Sequence, residues 1–345
     1  MEKQSALMSD FLPFLQHAAS GAPLPAEAMG EAMDLMLKGG VDEREIAGFL
    51  MALRARGETV SEIAAAAKAM RALAVPVSAP DDVIDTAGTG GDGADTFNIS
   101  TAAAIVAAGA GAYVAKHGNK AATSRSGSSD VLASLGVNLN AAPETISACI
   151  KNAKVGFMFA AYHHGAVANV APVRKALGVR TIFNLLGPLT NPAGAKRQLI
   201  GVFDRALSNP LAQALQQLGA QRALIVHGSD GLDEITVTGK TFITSLDNGT
   251  IEEYSIDPAD TGLPTYPPSA LSGGSPKDNA KALMELLDGK PGAYRDITLM
   301  NAGAALMVAG RAKTIREGVI QAGQSIDSGN ASTALTKLVD ISNQS

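Results

Sequence analysis

The chain has 345 residues, 46% of them hydrophobic and 18% charged, which is a folded-protein composition with more chain than one hydrophobic core usually serves, so two domains are expected. Its formal net charge of −5 argues against a nucleic-acid partner, and its single cysteine excludes an internal disulfide framework. No run reaches the ~18 apolar residues that a membrane span needs, and no positive-then-apolar leader is visible, so a cytoplasmic protein without membrane partners is expected.

Residues 1–75 read as all-helical. Asp42 with Glu45 and Thr59 with Glu62 have the spacing of capping boxes, and Gly39-Gly40 and Gly57 supply helix stops. Between them, helices 43–56 and 60–73 carry Ile46, Phe49, Leu50 and Leu53, then Ile63, Ala66, Ala67 and Met70, at helical spacing. Apolar faces of that size must dock on something, and a homodimer through these helices is one expected outcome. Val75 to Pro80 reads as the linker. The expected division is a helical domain over 1–75, with some helices near 165–190 packing beside it, and an α/β domain over 76–345.

After the linker, strands and helices alternate: strand 83–85, helix 99–108, strand 112–116, helices 129–135 and 143–152, strand 155–160, strand 198–203, helix 208–218 and strand 222–227. This succession predicts an α/β fold: a small N-terminal helical domain plus a large α/β domain whose mostly parallel central sheet is flanked by helices. Short alternating runs at 234–237, 242–246 and 251–254, around Gly239-Lys240 and Asp247-Asn248-Gly249, predict antiparallel hairpins. Ser275-Pro276 reads as N-cap and first residue of the first C-terminal helix. Cys149 lies in segment 143–152, where a small buried hydrophobe is its expected role, and Met300 and Met307 read as helix core.

The most informative stretch is Asp85-Thr86-Ala87-Gly88-Thr89-Gly90-Gly91-Asp92-Gly93, placed between a strand and the helix opening at Asn98. Strand, glycine loop and helix N-terminus together form an anion cradle of backbone N–H groups. Gly88-x-Gly90-x-x-Gly93 formally matches a dinucleotide fingerprint, but the next strand ends in basic Lys116-His117-Gly118-Asn119-Lys120 where that fingerprint wants an acid; no Gly-Lys-Ser/Thr follows for a P-loop. What remains is a pocket with three phosphate-binding features: the glycine loop, the hydroxyls Thr96, Ser100 and Thr101 at the helix start, and the run from Lys116 through Thr123-Ser124-Arg125-Ser126-Gly127-Ser128. Asp92 inside an anion loop requires sugar hydroxyls, backbone donors or a cation beside it. Asp233-Glu234, after strand 222–227, supplies hard oxygen ligands that suit Mg²⁺.

These segments, with Ser126-Gly127-Ser128-Ser129-Asp130 and the stretch from Val173 to Pro192, make the whole chain resemble the anthranilate phosphoribosyltransferase family of tryptophan biosynthesis. The resemblance implies a helical domain joined to a large α/β domain, homodimerisation through the helical part, and Mg²⁺-dependent transfer of phosphoribose from phosphoribosyl pyrophosphate to the amino group of anthranilate. It assigns Gly88, Gly91, Asp92, Thr96, Asn98, Ile99, Ser100 and Thr101 to phosphoribosyl pyrophosphate. Lys116, His117, Gly118, Asn119, Lys120, Ala121, Ala122, Thr123, Ser124 and Ser128 go to the same ligand, chiefly its phosphates. It assigns Ser100, Asp233 and Glu234 to Mg²⁺, and Gly88, Asn119 and Arg174 to anthranilate. Lys120 stands where the family pattern expects Arg, Ser129 precedes Asp130, and Gly165-Ala166-Val167-Ala168 replaces bulkier residues after His163-His164. No residue is implied as a covalent nucleophile or obligate acid or base. Two other readings share the features: a pyrimidine-nucleoside phosphorylase, which would want a Lys in the glycine loop where Asp92 stands, and a non-catalytic phosphoribosyl-binding regulator.

Overall fold

The computed structural model describes residues 10–120 and 125–344, and the described chain divides into two compact units. One contains the described part of Met1–Ala74 together with His164–Thr190, and the other contains Val75–His163 and Asn191–Ser345 without its final residue.

In the helical unit, helix Leu12–Ala19 packs on Glu43–Arg56, and Ala26–Lys38 packs on Val60–Ala72. Helices Ala171–Leu177 and Phe183–Leu186 add to the same body, the first against Glu43–Arg56 and the second against Val60–Ala72. The eight apolar positions that the sequence left in need of a partner, Ile46 to Met70, are all buried within this one chain. They close on Met29, Met33, Met36 and Phe11, whose ring meets that of Phe49 edge-on at 5.2 Å. The chain's own helices therefore cover the faces that suggested a second copy. Thr59 and Glu62 form the expected capping box. Asp42 instead caps through the Arg44 N–H at 2.8 Å, while the Glu45 N–H bonds the Asp42 carbonyl at 3.0 Å.

The second unit is built on one seven-stranded sheet. Its strands are β1 (Ile84–Gly88), β2 (Val114–Gly118), β3 (Val155–Phe159), β4 (Arg197–Gly201), β5 (Arg222–Gly228), β6 (Thr241–Asp247) and β7 (Thr250–Ile256). The spatial order is β3-β2-β1-β4-β5-β6-β7; β1 to β5 run parallel, and β6 and β7 return antiparallel through the turn at Asn248-Gly249. Helix Ile99–Gly109, apolar almost all round, is buried along nearly its whole length, as such a helix must be. It packs with Ala293–Val308, Ile315–Asp327 and Asn330–Ser342 in the larger core, with Ile84, Leu199, Leu224 and Met300. A smaller cluster holds Val83, Ala115, Ile146, Ile150, Met158 and Ala195. Cys149 is buried in helix Pro143–Asn152, and burial pushes its thiol up to about 11, which fits a packing residue.

The expected strand at 234–237, and the hairpin at Gly239-Lys240, are absent: the chain between β5 and β6 is irregular. Side chains take the place of a ladder there. The Thr236 N–H bonds Thr241 Oγ1 at 3.0 Å, and the Thr236 and Thr238 hydroxyls both donate to Asp230 Oδ2, at 2.6 and 2.5 Å. Among the described residues no helix is long and apolar enough to cross a membrane.

Candidate active site

The strand order reverses between β1 and β4. From β1 the chain winds outward through β2 to β3, then returns to place β4 on β1's other side. In an open parallel sheet this point leaves a crevice at the strands' carboxyl ends. Two glycines end the flanking strands in register, Gly88 on β1 and Gly201 on β4. Both are glycine for the same reason. A Cβ on Gly88 would stand 2.6 Å from Asp233 Oδ2, and one on Gly201 would overlap the Asp233 main-chain carbonyl. The two strand ends are thus bare so that the segment carrying Asp233 and Glu234 can lie across them.

The glycine loop follows. Gly90, Gly91 and Gly93 have φ of +62°, +80° and +74°, the left-handed region that glycine enters without strain. The Gly90 N–H bonds Asp233 Oδ2 at 2.8 Å. At the start of helix Ile99–Gly109 the Ser100 N–H bonds Glu234 Oε1 at 3.1 Å. The two carboxylates lie on the backbone donors of the expected anion cradle, so an anion binding those donors must displace or share them. Asn98 does not cap its own helix. Its amide donates to the Ser126 carbonyl at 2.9 Å, and its Oδ1 accepts from Ser126 Oγ at 3.2 Å and Asn279 Nδ2 at 2.9 Å, tying the helix start to the Ser126-Gly127-Ser128 turn.

Lys116, on β2, is buried, and its ammonium donates to the Thr86 carbonyl at 2.6 Å and to Ser100 Oγ at 3.2 Å. Burial pulls its pKa down, and Asp85, Glu234 and Asp233 oppose that shift. Asp85 is pushed up to about 6 by burial, against Lys116 and two hydrogen bonds: the His117 N–H at 3.1 Å and Asn191 Nδ2 at 2.7 Å. Asn191 also donates to the Ala115 carbonyl at 2.8 Å, so Asp85 and Asn191 brace β2 immediately behind the site. Burial and the charge of Asp92 push Asp233 up to about 7. Burial and the charge of Asp233 push Glu234 well above the ordinary range, with Lys116 pulling the other way. Asp92, Asp233 and Glu234 therefore share one field, which Lys116 opposes. Burial is the larger cause of both raised proton affinities and the neighbouring carboxylate charge adds to it, and clustered, desolvated carboxylates of this kind suit a hard cation. The donors are all oxygen, as Mg²⁺ requires. Among the described residues no group of three or more His, Cys, Asp or Glu side chains is placed to hold a metal ion by itself.

Of the remaining expected residues, Gly118 ends β2 against Ser128 Oγ and the Phe157 ring. The Asn119 carbonyl accepts from the Ser129 N–H and Ser128 Oγ, both at 3.3 Å, and its Oδ1 from the Lys120 N–H at 2.8 Å. Thr96 is half-buried and bridges Ser272, while the side chains of Ile99 and Thr101 are buried and the Ile99 N–H bonds the Phe97 carbonyl at 2.9 Å. Ala121, Ala122, Thr123 and Ser124 lie outside the described residues. Arg174 belongs to the helical unit, half-buried with its guanidinium 5.1 Å from the centre of the Phe183 ring. His163 and His164 are buried with ring nitrogens donating to the carbonyls of Val75 at 2.8 Å and Thr190 at 3.0 Å, which fits positioning better than metal ligation.

The helical bundle domain of a glycosyl transferase family matches residues 12–74, and that family's a/b domain matches residues 80–332. The anthranilate phosphoribosyltransferase of Bradyrhizobium diazoefficiens is 52% identical over 336 residues, covering 97% of this chain and 100% of that relative. The chain belongs to the anthranilate phosphoribosyltransferases. The Brucella abortus member is likewise 52% identical over 97% of the chain. Among solved structures, the anthranilate phosphoribosyltransferase of Thermus thermophilus superposes with a TM-score of 0.92 at 43% identity, covering 96% of this chain and 99% of that one. The Saccharomyces cerevisiae anthranilate phosphoribosyltransferase in complex with PRPP and Mg has a TM-score of 0.88 at 31% identity, covering 96% and 97%.

Proposed function

We propose that the chain transfers the phosphoribosyl group of phosphoribosyl pyrophosphate to the amino group of anthranilate, releasing pyrophosphate, with Asp233, Glu234 and Ser100 holding Mg²⁺. The observation that carries the reading is the crossing of Asp233-Glu234 over the bare ends of β1 and β4, against the glycine loop. Its relatives include the yeast enzyme, solved in complex with PRPP and Mg and, in a separate structure, with 4-fluoroanthranilate.

The reaction forms a bond from the amine nitrogen to the ribose anomeric carbon and breaks the bond from that carbon to the pyrophosphate oxygen, whose electron pair leaves with pyrophosphate. The anilinium proton then passes to pyrophosphate or solvent. Mg²⁺, when bound, neutralises charge building on the leaving group. The chain's own groups do the rest. Lys116 and the N–H groups of the glycine loop stabilise the same developing charge. Asn98 and the Ser126–Ser128 turn fix the helix start that faces it. An aromatic amine is already neutral near pH 7, so no base is needed before attack. Arg174 pairs with the anthranilate carboxylate and orients the amine. The homodimer rests on the family resemblance alone, because the apolar faces that first suggested it are buried within the chain. A cytoplasmic location belongs to the same proposal.

The direct test follows loss of anthranilate fluorescence with phosphoribosyl pyrophosphate and Mg²⁺. Loss that needs all three components supports the reading; no loss leaves the non-catalytic regulator, and free base from a nucleoside plus phosphate would favour the phosphorylase. In that assay Arg174→Lys raises KM for anthranilate roughly tenfold, the equivalent of one charge-assisted hydrogen bond of about 1.5 kcal/mol, and leaves KM for phosphoribosyl pyrophosphate unchanged.

A further inference from the structure

Asp233 and Glu234 sit on a segment without a strand ladder, yet their carboxylates are held to single backbone donors at 2.8 and 3.1 Å. Something must fix the main chain beneath them. The next residue, Ile235, has a fully buried side chain, so its peptide groups cannot turn to water. Both are met by one side chain. Asn301 Oδ1 accepts from the Ile235 N–H at 3.0 Å, and Asn301 Nδ2 donates to the Ile235 carbonyl at 2.8 Å. The second amide hydrogen donates to the Ile297 carbonyl, one turn back on Asn301's own helix, at 2.9 Å. A flipped amide would set donor against donor and acceptor against acceptor, so the grip has one orientation.

We propose that Asn301 is a positioning residue for the Asp233–Glu234 pair, acting as a two-bond stand-in for a neighbouring strand. It does not touch substrate; it sets where the two carboxylates stand. The proposal rests on the reading of that pair as the holder of Mg²⁺. The composition of the helix supports it. Ala293–Val308 is buried along most of its length, and Asn301 is fully buried among apolar neighbours such as Met300, Ala304 and Ala305, where a leucine would fill space without two donors and an acceptor to satisfy. The same helix also faces the pair at Tyr294. That ring stacks on Phe97 at 4.3 Å, its hydroxyl is buried without a hydrogen-bond partner among the described residues, and burial, with Glu234's charge, holds it un-ionised.

The test compares wild type, Asn301→Ala and Met300→Ala, the last shortening a buried side chain of the same helix that has no hydrogen bond to give Ile235. Two readouts are taken: the rise in melting temperature produced by Mg²⁺ with pyrophosphate, and the Mg²⁺ concentration giving half-maximal turnover. The expected result for Asn301→Ala is a Mg²⁺ requirement raised about tenfold or more, the usual scale for groups that orient metal ligands. Its Mg²⁺-pyrophosphate stabilisation shrinks, while KM for anthranilate stays within about twofold. Met300→Ala loses melting temperature but keeps the wild-type Mg²⁺ requirement. Should Asn301→Ala fail to fold, Asn301→Ser, which supplies one hydroxyl but loses the two-bond grip, takes its place. A wild-type Mg²⁺ requirement in the folded Asn301 variant overturns the proposal. A wild type that shows no Mg²⁺ effect on either readout overturns the metal reading itself.

Discussion

At the scale of single residues, the two glycines at the crevice make different predictions. A Cβ on Gly88 meets the far end of the Asp233 side chain, which can swing, so Gly88→Ala keeps most of its melting temperature and loses turnover because the carboxylate is displaced. A Cβ on Gly201 meets the Asp233 main chain, which cannot yield without moving the segment, so Gly201→Ala costs stability as well, about 1–3 kcal/mol. Denaturant unfolding beside steady-state kinetics separates the two; equal stability losses would refute this distinction. The expected site residues could be singled out from the sequence because most of them lie in continuous motifs. Their supports could not, because each is brought in from far along the chain: Asn301 lies 66 residues from Ile235, Asn191 lies 106 from Asp85, and Asn279 lies 181 from Asn98. An asparagine in an apolar helix is a signal of something buried and polar, but not of what it holds.

At the scale of elements, periodicity located the helices and the parallel strands and misread one run. Glu234 to Val237 alternates like a strand, yet Asn301, Thr241 and Asp230 supply the hydrogen bonds that a ladder would have supplied, and no pattern in the run itself shows that. The helix Val60–Ala72 shows the converse. Its capping box is visible in sequence, but Glu62 does more than cap. Its fully buried carboxylate accepts from Arg56 Nη2 at 2.6 Å, from the Leu24 N–H at 2.9 Å and from the Thr59 N–H and hydroxyl, each at 2.8 Å. Burial opposes the charge, but the Arg56 pair and these N–H groups hold the carboxyl below its ordinary value of 4.5. A depressed carboxyl contributes stability above its unfolded pKa and loses it as pH falls through the folded value. Glu62→Ala, which leaves Arg56 uncompensated, should cost about 3 kcal/mol at pH 7, and the gap to wild type should narrow as pH drops below 4.5. Thermal melts at pH 7 and at acid pH measure both; a gap that does not change with pH would contradict the ionic role.

At the scale of the whole molecule, the alternation of strands and helices announced a parallel sheet, but the strand order that makes a crevice is a three-dimensional fact. It is the placing of β4 beside β1 that brings Gly201 level with Gly88 and carries Asp233-Glu234 from beyond β5 onto the loop after β1. The dinucleotide-like spacing of the glycines is thereby put to a different use. The loop turns its donors toward a carboxylate pair and, in the proposed reaction, toward the pyrophosphate that the pair's cation neutralises. The measurement that tests this account most directly is turnover of anthranilate by the Asp233→Ala, Glu234→Ala double variant across a Mg²⁺ titration. The account predicts a loss of about 100-fold or more at low Mg²⁺ in protein that remains folded. Wild-type turnover at low Mg²⁺ would contradict it.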